Sequence, residues 1–120
     1  MTFDAKLAGR VRRSLAATPR VREKQMFGGI AFMVNGKMCV TVGGSRLMCR
    51  IDPEMRGELL QNPGCEPVVM RGRELKGFVR VRGEAVRTKR SLDYWVGLAV
   101  RFNRESNRSQ KNAVAGKKIT

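Results

Sequence analysis

The sequence predicts a two-layer α+β domain built on an antiparallel sheet, and three observations carry that prediction. Asn35-Gly36 stands between two apolar runs, the strongest short signal for a β-hairpin, because the turn it makes needs φ > 0 at both central positions. Apolar residues recur at helical spacing near both ends of the chain. No repeat and no long linker divides the 120 residues, which are enough to bury one core.

Taken in order, residues 4–17 read as a helix. Phe3, Leu7, Val11 and Leu15 line one face, while Lys6, Arg10 and Arg13 fall on the other. Thr18-Pro19 stops it, since a residue before proline avoids the α region. Residues 26–34 and 37–42 read as two strands, with 34 opposite 37, 32 opposite 39 and 30 opposite 41. One sheet face then carries Ile30, Phe32, Val34, Cys39 and Thr41, and the other Ala31, Met33, Met38, Val40 and Val42. A three-residue turn at Gly43-Gly44-Ser45 leads to a third strand, Arg46 to Ile51, and places Cys39 opposite Cys49.

Asp52-Pro53-Glu54 has the marks of a helix start: an Asp cap, proline at the first helical position and an acid in the first turn. That helix runs to about Gln61 and ends at Asn62-Pro63-Gly64. Residues 66–70 make a short edge strand, since Pro67 cannot donate to a ladder. Arg71 to Gly77 reads as a basic turn, and Phe78 to Arg82 as an alternating strand. Ser91 is expected to cap the last helix, whose apolar stripe is Leu92, Trp95, Val96, Ala99 and Phe102. The order is helix, three strands, helix, two strands, helix. The domain is expected to span 1–103, with 104–120 a basic, disordered tail.

Composition narrows the chemistry. The chain has no histidine, which removes Ser-His-Asp and Cys-His catalysis and most zinc sites. None of its 10 acidic residues is paired with another in an apolar setting. No catalytic, cofactor-binding or metal-binding residue is therefore expected, and the chain reads as a non-enzyme. No apolar run is long enough to span a bilayer and no leader is evident at Met1, so a cytoplasmic protein without membrane contact is expected. The 25 Lys and Arg give a formal charge of +15, which suits either a polyanion partner or plain solubility.

Several of these residues together resemble the N-terminal domain of the TfoX/Sxy family: Met26-Phe27-Gly28-Gly29, Asn35-Gly36-Lys37-Met38, Leu47, Arg50-Ile51-Asp52, Gly72-Arg73, Lys76-Gly77-Phe78-Val79, Leu92 and Trp95. The resemblance covers about residues 5–103. It implies a secretion-chaperone-like fold and an association with bacterial regulators of DNA-uptake genes. Full-length members carry a second domain resembling helix-hairpin-helix modules, and a short form without it is expected here. The family motif supplies no catalytic residues to carry over.

Each candidate site has two readings. Phe27-Gly28-Gly29 reads as an anion cradle or as a close backbone crossing at a strand start; the strand context favours the crossing. Cys39 and Cys49 read as a redox pair or as packing, and their apolar flanks favour packing. Met33, Met38, Val40 and Met48 form a flexible apolar face, suited to a protein partner or to a second copy in a symmetric homodimer, unless helices cover it. Arg71, Arg73, Lys76, Arg80, Arg82, Lys89 and Arg90 are candidate polyanion contacts for non-specific nucleic-acid binding. A regulatory protein-interaction domain is the leading expectation, and the non-specific nucleic-acid binder is the alternative.

Overall fold

The structure, a computed structural model, describes residues 3–26 and 28–119, with side chains described through Asn107. Phe27 of the Met26-to-Gly29 motif lies outside the described residues. The elements are α1 (Ala5–Ser14), β1 (Val21–Met26), β2 (Gly29–Val34), β3 (Lys37–Gly43), β4 (Arg46–Arg50), α2 (Arg56–Leu59), β5 (Cys65–Met70), β6 (Arg73–Arg82) and α3 (Lys89–Ile119). The six strands form one antiparallel sheet in the order β1-β2-β3-β4-β6-β5. The expected α+β class holds.

Local signals explain most of the boundaries. The Asp4 carboxylate accepts from the backbone N–H groups of Lys6 and Leu7 at 2.9 and 3.1 Å, capping α1. Asp52 accepts from the Glu54 N–H at 3.0 Å, with Pro53 starting a short 3₁₀ turn that leads into α2. Asn35 and Gly36 have φ of 54° and 77°, the mirror-image turn that the dipeptide predicts. Arg71-Gly72 makes the same kind of turn at 52° and 77°. The expected basic turn over 71–77 therefore shrinks to two residues, and β6 begins at Arg73.

Other expectations are corrected. The sequence gives no sign of β1, because only its ends, Val21 and Met26, are apolar; as an edge strand it is mostly exposed and shows no buried alternation. Thr88, not Ser91, caps α3: its hydroxyl accepts from the Ser91 N–H at 3.1 Å. Past Asn103, where the apolar spacing ends, the backbone of α3 continues as helix to Ile119. No proline interrupts it, and once a docked segment has nucleated the helix each added residue costs little.

The largest correction concerns register. Val34 pairs with Lys37 and Met33 with Met38, as the turn dictates, but Phe32 then pairs with Val40. Cys39 is the extra residue of a β-bulge. The next turn holds two residues, Gly44 and Ser45, so Gly43 pairs with Arg46 and Val40, not Cys39, opposes Cys49. The bulge moves Val40 and Val42 to the Phe32 face and Thr41 to the opposite one. Burying a valine is worth about 1.5–3 kcal/mol, whereas one lost ladder hydrogen bond costs about 0.5–1.5 kcal/mol. The bulge wins because the straight register would leave two valines outside the core and put a hydroxyl inside it.

Among the described side chains, the helices pack their apolar stripes on the Phe32 face. Leu7, Val11 and Leu15 from the α1 region, Leu59 from α2 and Leu92, Trp95, Val96 and Ala99 from α3 share one core with Ile30, Phe32, Val40, Val42, Leu47, Cys49, Val79 and Val81. Arg12 of α1 pairs through two bonds of 2.6 and 2.7 Å with Glu23 of β1, its guanidinium 5.9 Å from the Phe32 ring centroid. Arg10 reaches the far side of the core edge, donating to the Val86 and Arg87 carbonyls at 2.7 and 3.0 Å just before α3.

Candidate functional site: the helix-free face of the sheet

Strand pairing places a continuous row of residues across the second face: Lys24, Ala31, Thr41, Met48, Arg80 and Glu66, each opposite the next. Arg22, Met33 and Met38 form the flanking row on one side, and Met26, Gly29, Gly43, Arg46 and Arg82 lie along the other. None of these residues belongs to the main core. Ala31 and Thr41 are nonetheless buried at the floor of this surface, and Met33, Met38 and Met48 are half-buried over it.

Val40 is the corrected member of the expected interaction face. It is fully buried in the opposite core, a consequence of the bulge at Cys39. Met33, Met38 and Met48 do share the helix-free face. The sequence reading missed Met26, Thr41 and Met70, which line a groove there together with Arg46, expected beside Met48. Met26 reaches this face by pairing with Gly29 across a turn that its sequence does not announce, whereas alternation from Glu66 would have found Met70.

That groove has a volume of about 430 Å³. Met26, Met48 and Met70 wall it, Arg46 and Arg80 rim it, and Gly28, Gly29, Gly43 and Gly44 leave backbone along one side. Gly29 is required by close approach: a Cβ there would stand 2.3 Å from the Val42 carbonyl oxygen. The glycine pair thus marks a tight crossing of strands, in line with its strand context. Thr41 borders the groove with only 8% of its surface exposed, and its hydroxyl has no hydrogen-bond partner. Neither Arg46 nor Arg80 has a carboxylate partner among the described residues.

The basic candidates do not converge. Arg71 and Arg73 are exposed at the β5–β6 turn, with Lys76 a few residues along. Arg82 lies at the other end of the ten-residue β6, about 30 Å away at strand rise, where it pairs with Glu84 at 3.2 Å and Glu66 at 3.8 Å. Lys89 is bound to Asp93 at 2.6 Å at the start of α3, beside the exposed Arg90. Arg80 sits mid-sheet opposite Met48. A second cleft, about 650 Å³, gathers Lys6, Arg10, Arg46, Arg82 and Arg87 with Asp4 and Glu84. Two of its five cations are already engaged, Arg10 by carbonyls and Arg82 by Glu84.

The three cysteines are buried and free. Burial pushes the Cys39 thiol up to about 12 and Cys65 up to about 11, and raises Cys49 further. The Arg50 charge only partly offsets this at Cys39. Raised in this way, the thiols stay protonated at neutral pH, as buried packing groups do. Among the described residues no group of three or more Cys, Asp or Glu is placed to hold a metal ion, and no helix is long and apolar enough to cross a membrane.

The family model of the TfoX N-terminal domain matches residues 13–103, about three quarters of the chain. The chain belongs to the TfoX N-terminal domain family. The match takes in the whole sheet and the docked part of α3, so the helix-free face of this TfoX domain is built entirely from family sequence. A crystal structure of a Deinococcus radiodurans protein with a DUF419 domain is similar in fold. It has a TM-score of 0.59 and 20% identity, over 74% of this chain and 72% of that one. No curated protein matches the chain.

Proposed function

We propose that this TfoX domain is a non-enzymatic regulatory module that binds a protein partner through the helix-free face of its sheet, and that it acts in the bacterial cytoplasm as part of transcriptional control. The observation that carries the reading is the composition of that face. An antiparallel sheet with one wet side shows polar residues there. Here the middle of the wet side is Ala31, Thr41, Met33, Met38 and Met48. Methionine adapts to varied apolar surfaces and is over-used where proteins bind one another. The free, buried thiols suit a reducing compartment. Family membership supports a regulatory or protein-interaction role in general terms.

A photo-crosslinking residue placed at Met48, with the exposed Tyr94 of α3 as control position, tests this in native lysate. A discrete protein adduct is expected from position 48 and not from position 94. Identical adduct patterns at the two positions would remove the sheet face as the binding surface.

A second reading, non-specific contact with nucleic acid, is favoured by the exposure of Arg71, Arg73, Lys76 and Arg90, none of which has a carboxylate partner among the described residues. Its signature is tight DNA binding at low salt, with the logarithm of the affinity falling steeply and linearly with log salt. Weak binding with a shallow slope would dismiss it.

A further inference from the structure

We propose that the groove around Thr41 receives an acidic partner segment: an extended stretch in which an aliphatic side chain enters between Met26, Met48 and Met70 while flanking carboxylates meet Arg46 and Arg80. The proposal rests on the protein-interaction reading of this face and names the chemistry of the partner.

Three features of the groove argue for it. Its walls are three thioether side chains, soft and unbranched, which close around an aliphatic group of varied shape. Its rim holds two guanidinium groups with no carboxylate partner among the described residues, and a planar guanidinium matches a carboxylate through two parallel bonds. Its floor holds the Thr41 hydroxyl, buried and unpartnered. That hydroxyl is closed to solvent, so the floor offers an entering side chain no polar partner and suits an aliphatic one. The bare glycine backbone beside the groove lets an extended segment lie close.

Charge decides between occupants. The second face carries Arg22, Lys24, Arg46, Arg80 and Arg82 against Glu66, and Glu66 already faces Arg82. A symmetric pairing of two copies through this surface would set one basic rim against another, and like charges across an interface cost several kcal/mol. Nucleic acid would meet the rim but has nothing to place among the three methionines. An acidic, aliphatic segment satisfies rim and walls together.

Fluorescence anisotropy with two labelled peptides tests this, one alternating Leu and Glu, the other alternating Ser and Glu at equal charge. The Leu-Glu peptide is expected to bind about tenfold more tightly than the Ser-Glu peptide, a gap of about 1.4 kcal/mol. Arg46→Ala, a change at an exposed position, is expected to weaken Leu-Glu binding severalfold without altering the melting temperature. Met48→Ser, checked for folding by its circular dichroism, is expected to abolish the preference for Leu. Equal binding of the two peptides would reduce the site to plain charge attraction and overturn the proposal. Binding of neither would overturn it too. Sedimentation showing a dimer that Met48→Ser disrupts would make a second copy the occupant, overturning the acidic partner but leaving the face as an interaction surface. Failure of the interaction reading itself shows separately, as the absence of a position-48 adduct in lysate.

Discussion

Asn103 of α3 is tied to Asn35 of the β2–β3 turn: its side-chain oxygen accepts from Asn35 Nδ2 at 3.0 Å, and its own Nδ2 donates to the Val34 carbonyl at 2.9 Å. Asn103 is 2% exposed. The pair fastens the helix to the hairpin tip at the point where the apolar stripe of α3 runs out. Asn103→Ala leaves the Val34 carbonyl and the Asn35 amide short of partners, so a loss of about 1–3 kcal/mol is expected. Asn103→Asp retains shape but cannot donate to Val34, and should lose at least as much at neutral pH. Urea denaturation measures both. A stability change near zero for both variants would show that α3 does not dock through this residue.

Trp95 is 4% exposed in the centre of the α3 stripe, its ring edge-on to Tyr94 at 5.2 Å. Trp95→Ala should cost about 3–5 kcal/mol, a large fraction of the total stability of a domain this size. The variant should melt far below wild type and show a broadened near-ultraviolet signal. An unchanged melting temperature would contradict the packing of α3 on the sheet.

Two glycines should respond in opposite directions. Gly29→Ala drives a Cβ into the Val42 carbonyl oxygen and forces the β2–β3 ladder apart, at a cost of about 1–3 kcal/mol. Gly97 stands inside α3 with open space where a Cβ would go. Gly97→Ala should stabilise by about 0.8–1 kcal/mol through helix propensity alone. Thermal melts of the two variants on either side of wild type would bear this out.

The thiols set an alkaline limit. In the unfolded chain each cysteine ionises near 9, whereas in the folded domain Cys65 and Cys39 hold their protons to about 11 and 12. Above pH 9 the unfolded state therefore binds fewer protons than the native one, so stability is intact below that pH and falls as pH rises through the folded values. Urea midpoints should decline across that window, and less steeply for Cys65→Ala. Thiol reagents at neutral pH should label the native domain slowly and the urea-unfolded chain at once.

Truncation after Asn107 should leave the melting temperature nearly unchanged. Asn103 is the last buried residue among those whose side chains are described, and residues 108–119 add backbone helix to an already docked element. A drop of more than about 1 kcal/mol would mean that the extension supports the domain.

Much of this fold is a local matter, legible in the residues themselves. Asn35-Gly36 makes its turn because few other dipeptides take φ > 0 twice, and Asp52-Pro53 starts a helix because a carboxylate there meets free N–H groups. The stripe from Leu92 to Ala99 faces the core because its spacing allows only one face. Register is different. Both strand faces around residues 30–42 are apolar, so the period of two cannot say which is inside, and a one-residue bulge exchanges Val40 and Thr41 without changing the pattern. Only the helices, by covering one face and leaving the other, make Val40 core and Thr41 the floor of a groove. β1 is likewise a tertiary outcome, its backbone groups paired by β2 although its own residues carry almost no strand signal. The candidate site exists at that level alone: Met26, Met48 and Met70 come from three separate strands, and what joins them is the order in which the sheet pairs.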